Sequence, residues 1–154
     1  MSKSLRAFIS ASVIIVSLML GASAGQRTPE SAVKEIRAVL DRQMLAWNRG
    51  DIEAFMEGYW RSADLTFFSD NTAVSGWEET ITRYRTRYQT GGNQMGKLEF
   101  LDLKIELLGS AAAFVRGRFH LSGSGNESTG LFTLTFRKLP GGWKIVHDHT
   151  STAS

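Results

Sequence analysis

The chain has 154 residues, no cysteine, three histidines and a formal net charge of +3. Without cysteine, no disulfide can hold it, so packing alone must. Eighteen basic residues face fifteen acidic ones and are scattered, apart from Arg83, Arg85 and Arg87, which excludes the basic stripe of a nucleic-acid binder.

Residues 1–24 are predicted to be a signal peptide. Lys3 and Arg6 make a positive start, AFISASVIIVSLML is apolar but short for a membrane span, and Ala22-Ser23-Ala24 offers the small residues of a cleavage site. No cysteine follows for a lipid anchor. The expected mature chain, 25–154, is a single domain of about 130 residues with a net charge near +1, exported to the periplasm or secreted, with no membrane anchor after cleavage.

Val33, Ile36, Leu40, Met44 and Trp47 recur at helical spacing and predict a first helix, capped by Thr28, entered through Pro29 and ended at Gly50. Asp51 caps a short second helix carrying Ile52, Phe55, Met56 and Tyr59. After an extended LTFFS, Ser75-Gly-Trp-Glu78 reads as a capping box for a third helix with Trp77, Ile81, Tyr84 and Tyr88 on one face, stopped by Gly91-Gly92. From Lys97 the period becomes two. KLEFLDLKIELL puts Leu101, Leu103, Ile105 and Leu107 on one side. Turns at Gly109-Ser110, at GSGN and at Pro140-Gly141-Gly142 separate three further strands, so four strands form an antiparallel meander. Helices first and strands second define an α+β fold. Asn126-Glu127-Ser128 matches a glycosylation sequon, a weak signal at that length.

The Gly50-Asp51 junction, the extended FFSD stretch, Gly76-Trp77 and the terminal GGWKIVHDHTS together resemble the nuclear-transport-factor-2-like superfamily, over about residues 30–151. Within it the chain resembles SnoaL-like and ketosteroid-isomerase-like proteins of unknown function. Its last strand is similar to that of the calcium/calmodulin-dependent kinase II association domain, through Trp143, Val146, His147, His149 and Ser151. The resemblance implies three N-terminal helices on a strongly curved antiparallel sheet, a cone with a pocket. It does not imply one activity, because this fold hosts isomerases, dehydratases, cyclases and hub domains.

On a regular strand His147 and His149 share one face, and Asp148 and Thr150 the other. A metal reading pairs the two histidines with His120, but a catalytic zinc needs three protein ligands and the third is weak, so no metal and no cofactor are expected. Resemblance to the kinase hub implies instead that these histidines lock the last strand or line a subunit contact. The same resemblance places Arg116 and Thr150 in the cavity. Asp148 then faces inward, opposite Arg116, and Phe132, Leu134 and Phe136 form an apolar wall. Val115, Phe119, Trp143 and Ile145 fall on the outer face, where their cover is expected to be a homodimer interface. The opposite parity, with Val115, Phe119 and Leu121 in the core and Arg116, Arg118 and His120 in water, follows from hydrophobicity alone.

The ligand-binding candidates are Arg116, Trp77, Tyr59, Phe68, Phe132, Phe136 and Thr150, and the catalytic candidates are Asp148 and Tyr59. Asp70 and Asp64 are further polar candidates, while Trp47 and Tyr84 read as core. Counted from Gly50-Asp51, the helix-one tyrosine of a ketosteroid isomerase is Gln43 here, and its base position is Ser69, with Asp70 on the opposite side of a strand. An Arg116 neighbour lowers the pKa of Asp148 and weakens it as a base. The expected function is a binding or accessory module for a small molecule. The alternatives are an isomerase, dehydratase or cyclase using Asp148, and an oligomerisation domain.

Overall fold

The computed structural model describes residues 28–90, 95–123 and 127–153. The predicted leader, the Gly91-Gly92 helix stop and Asn126 lie outside the described residues. Helix α1 runs Pro29–Asn48, α2 Ile52–Met56 and α3 Trp77–Tyr88. As predicted, Thr28 accepts a hydrogen bond from the Ser31 amide at the start of α1 and Asp51 accepts one from the Ala54 amide at the start of α2. The capping box does not form. Ser75 belongs to a strand, and the N-cap is Gly76 at φ +93° with no side-chain cap, because the chain turns there in a conformation that excludes a side-chain-bearing residue. No helix among the described residues is long and apolar enough to cross a membrane.

The LTFFS stretch is not a lone extended segment. It supplies β1 (Thr66–Ser69), which turns at Asp70 into β2 (Thr72–Ser75). The four predicted strands are β3 (Lys97–Leu107), β4 (Ala112–Ser122), β5 (Ser128–Leu139) and β6 (Gly142–Thr152). All six form one sheet in the order β2-β1-β6-β5-β4-β3. Every pairing is antiparallel except β1 with β6, and the sheet is open at β2 and β3. The architecture is α+β, with the helices packed over one face of the sheet.

Two β-bulges decide which side chains reach that face. In β6 the partner of Thr135 is His147 and the partner of Phe136 is Ile145, so Val146 is an extra residue. A bulge resets the alternation of a strand and bends it. Trp143 and Ile145 before it, and Asp148 after it, are therefore all buried on the same side. In β3 the extra residue is Asp102, at φ +53° between Leu101 and Lys104. Leu103, Ile105 and Leu107 consequently pack with Leu98 and Phe100, while Leu101 turns outward.

The hydrophobic parity of β4 is the one that forms. Ala113, Val115 and Leu121 are buried in the core and Phe119 packs against it, so the expectation that Val115, Phe119, Trp143 and Ile145 lie outside is corrected. The reason is steric as well as solvation-driven. Phe119 faces Gly130 across the β4–β5 ladder and Gly117 faces Phe132, each ring occupying the space of a missing side chain. A Cβ on Gly117 would come within 2.9 Å of the Phe132 ring.

Candidate functional site

Beneath the helices lies a cavity of about 110 Å³. Its wall is aromatic and aliphatic: Trp47 from α1, Phe55 from α2, Phe67 from β1 and Phe132 and Leu134 from β5. Its polar groups include Gln43, Tyr59, Ser69, Tyr84, Asp148 and Thr150, with Arg83 and Arg87 on α3 toward solvent.

Asp148 is the buried carboxylate of this cavity, only 4% exposed. Its ladder neighbours are Leu134 on β5 and Phe67 on β1, so it is walled by apolar side chains on both sides. Tyr59 reaches it because the chain after α2 joins the sheet. The Ile145 amide donates to Gly58 O and the Trp60 amide to Ile145 O, pinning residue 59 beside β6. The Tyr59 hydroxyl donates to Asp148 Oδ2 at 2.7 Å, and the Thr150 hydroxyl to Oδ1 at 2.9 Å. Burial raises the carboxyl from 3.8 to about 6, against the two hydrogen bonds and the nearby His149, which pull it down. Burial and the nearby Asp148 carboxylate hold the hydroxyls of Tyr59 and Tyr84 well above the ordinary tyrosine range.

Of the residues expected here, the cavity gathers Asp148, Tyr59, Thr150, Phe132 and Leu134, and leaves out Arg116, Trp77, Phe68 and Phe136. Arg116 is on the opposite side of the sheet, its side chain half exposed and its guanidinium 3.4 Å from Glu106. The inward arginine implied by the kinase-hub resemblance is therefore corrected: on β4 the cost of burying a charge outweighs the pairing it would gain. Trp77 packs at the start of α3, donating to Met56 O beneath the Arg61 guanidinium. Phe68 is 39% exposed on the outer face, and its neighbour Phe67 lines the cavity instead. Phe136 is buried outright in the core, on β5 before the bulge.

Asp64 is exposed. Asp70 occupies the β1–β2 turn at φ +52°, where it accepts from the Thr152 amide, a structural task. Gln43 is 2% exposed, packs over Gly58 and donates to Phe55 O, tying α1 to α2 while presenting the rest of its side chain to the cavity. Trp47 and Tyr84, read as core, line the cavity, as does Ser69, named only as the counterpart of an isomerase base, and the residues sequence reasoning missed are Arg83 and Arg87. The arginine run on α3 carried the signal: Arg85 turns away to Glu53, which leaves Arg83 and Arg87 one turn apart on the cavity side.

The two terminal histidines occupy the outer face. His147 Nδ1 is 2.6 Å from the Thr66 hydroxyl, and Phe68 meets the rings of both His147 and His149 edge-on. Burial, then the neighbouring His149, lowers the pKa of His147. His120, on β4 and so two strands from β6, pairs with Glu99 on the adjacent β3. Among the described residues no three histidine or acidic side chains converge.

A half-open sheet capped by three helices, with an apolar cavity and one buried carboxyl, defines a pocket-bearing α+β domain of the nuclear-transport-factor-2-like type. Residues 36–154 match the SnoaL-like domain family, and the chain belongs to it. An NTF-2-like protein of unknown function from Shewanella oneidensis is 37% identical, with a TM-score of 0.72 over 77% of this chain and 98% of its own. A cystatin-like-fold protein of unknown function from Nostoc punctiforme shares 13% identity at a TM-score of 0.67, over 82% of this chain and 93% of its own. An NTF2-like protein of unknown function from Pseudomonas putida shares 18% at 0.68, over 81% and 89%. The latter two likenesses concern the fold alone. No curated protein matches the sequence.

Proposed function

We propose that the cavity binds a small, largely apolar molecule of about one ring in size and that Asp148 moves a proton on it. The observation that carries this reading is a carboxyl buried in the cavity wall, raised to about 6 and held by two hydroxyl donors rather than by a cation. A general base works best when its pKa lies near the operating pH, and the arginine that would have spoiled it is on the other side of the sheet. The volume is comparable to the cavity of about 150 Å³ known to accept benzene in another protein.

Above pH 6 the ionised Asp148 takes a proton from a carbon next to a carbonyl. The C–H bond breaks, a carboxyl O–H forms, and the electron pair moves into the enolate. In a substrate with a C=C bond next to that carbon the enolate is a dienolate, and return of the proton from the carboxyl to its γ carbon shifts the double bond and completes an isomerisation with nothing consumed. The Tyr84 hydroxyl, beside Tyr59, is the donor available to the enolate oxygen.

Deuterium exchange of cyclohexanone in D2O, followed by proton NMR, tests the reading. Acceleration by the wild-type chain and its loss in Asp148→Asn are expected. No acceleration, with ring-sized ligands bound equally by both proteins, would return the domain to the second reading, a binding or accessory module.

We also propose export, on the pattern of residues 1–24, and a homodimer across the outer sheet face. With Val115, Phe119, Trp143 and Ile145 taken into the core, the support for that dimer shifts to Phe68 and Leu131, 39% and 52% exposed.

A further inference from the structure

The cavity is asymmetric in charge. Its lining holds one carboxyl, Asp148, buried at the inner end, and two guanidiniums, Arg83 and Arg87, one turn apart on α3 at the solvent end. No other carboxylate and no lysine, histidine or further arginine lines it among the described residues. Arg83 is half-buried, and Arg87 is exposed with its guanidinium 5.5 Å from the Tyr88 ring centre. Both guanidiniums lower the pKa of Tyr88 against the effect of burial, so their field reaches the wall between them and the interior. Ser128 and Thr152 complete the same rim with neutral hydroxyls.

We infer that the ligand is a small organic anion, a carboxylate whose charged group rests between Arg83 and Arg87 while its ring or acyl body fills the aromatic interior. This rests on the reading of the cavity as a small-molecule site and adds the substrate class to it. Two arguments carry it. A net positive rim around a low-dielectric interior favours anions over neutral isosteres of the same shape, because field lines focus into the cleft. Guanidiniums also match a carboxylate geometrically, presenting paired N–H donors to its two oxygens. The position of the rim has a chemical consequence. A carboxylate held there points the far end of a one-ring body at Asp148 and keeps two negative charges at opposite ends of the cavity. The cation on the ligand that would pair with Asp148 is not called for, since Tyr59 and Thr150 already satisfy its oxygens. Arg85, between the two in sequence, serves as an internal control: it pairs with Glu53 outside the cavity.

The test is calorimetric titration of the whole chain with benzoate and with benzamide, which share a body and differ in charge. The wild type is expected to prefer benzoate at least about tenfold at low salt, and the preference to fall as salt is raised. Arg83→Gln and Arg87→Gln should each remove most of the preference by weakening benzoate far more than benzamide, and Arg85→Gln should leave both affinities unchanged. Thermal melts establish that each variant is folded. Equal binding of the two ligands, or a preference that survives in the Arg83→Gln/Arg87→Gln double variant, overturns the assignment, as does failure of both to bind. Absent or surviving selectivity leaves the proton-transfer reading untouched, since that is tested with the neutral ketone and with Asp148→Asn; failure of both ligands to bind counts against the one-ring cavity as well, and exchange of the ketone then tells the two readings apart. Conversely, benzoate selectivity that persists in Asp148→Asn upholds the anion rim even where exchange is absent.

Discussion

Replacing Asp148 by asparagine should stabilise the protein, and only above a defined pH. In the unfolded chain this carboxyl ionises near 3.8, whereas in the fold it ionises near 6. Between those values the native state holds a proton that the unfolded state has lost, so stability falls as pH rises. Below 3.8 both states are protonated and burial of the neutral acid carries no ionisation cost. Above about 6 both are ionised and the cost is complete, at about 3 kcal/mol, since each pH unit is worth about 1.4 kcal/mol. Asparagine keeps an acceptor for Tyr59 and removes the charge. For a domain of this size about 1 kcal/mol corresponds to about 3–5 °C, so the variant should melt about 10 °C above wild type at pH 7.5 and close to it at pH 4. Paired thermal melts from pH 4 to 8 read this directly, because titrations common to the two proteins cancel in the difference. A difference in Tm that stays flat across the range would refute the argument: the carboxyl would then ionise alike in both states, and the base would not be poised.

Three further outcomes follow from the same geometry. Tyr59→Phe removes a donor that lowers the Asp148 pKa, so the carboxyl midpoint, observed by carbon NMR of labelled aspartate, should move further up, with a stability loss of about 1 kcal/mol. Gly130→Ala would put a Cβ 1.9 Å from Ser151 O and 2.6 Å from the Phe119 ring, so urea unfolding should show a loss exceeding about 3 kcal/mol or no folded protein. Leu131→Glu on the outer face should halve the mass seen by light scattering while leaving deuterium exchange per chain intact; an unchanged mass would remove that face as the interface.

The elements were legible from periodicity, since α1, α3, β4 and β5 each keep one spacing over many residues and β3 and β6 keep theirs on either side of a single bulge. The β1–β2 hairpin was not, because strands of four residues give too few alternations to read. The face each strand presents was the harder matter. Asp148 was placed inward and Trp143 and Ile145 therefore outward, which is correct for a regular strand and fails at Val146. On β4 the residues themselves favoured Val115 and Phe119 as core, and the pairing of Arg116 with Asp148 led away from it. Arg83 and Arg87 were visible only as a cluster, since nothing local says that Arg85 leaves the group for Glu53.

The extra residue at Val146 has an implication for how this strand can change. Ahead of it, Trp143 and Ile145 anchor the scaffold; behind it, Asp148 and Thr150 line the cavity. A one-residue deletion there would make the two halves compete for the interior, expelling either the anchor or the acid. Point substitutions on the far half can vary the lining of the cavity without disturbing what keeps the domain folded, but a length change at this single position would cost one or the other.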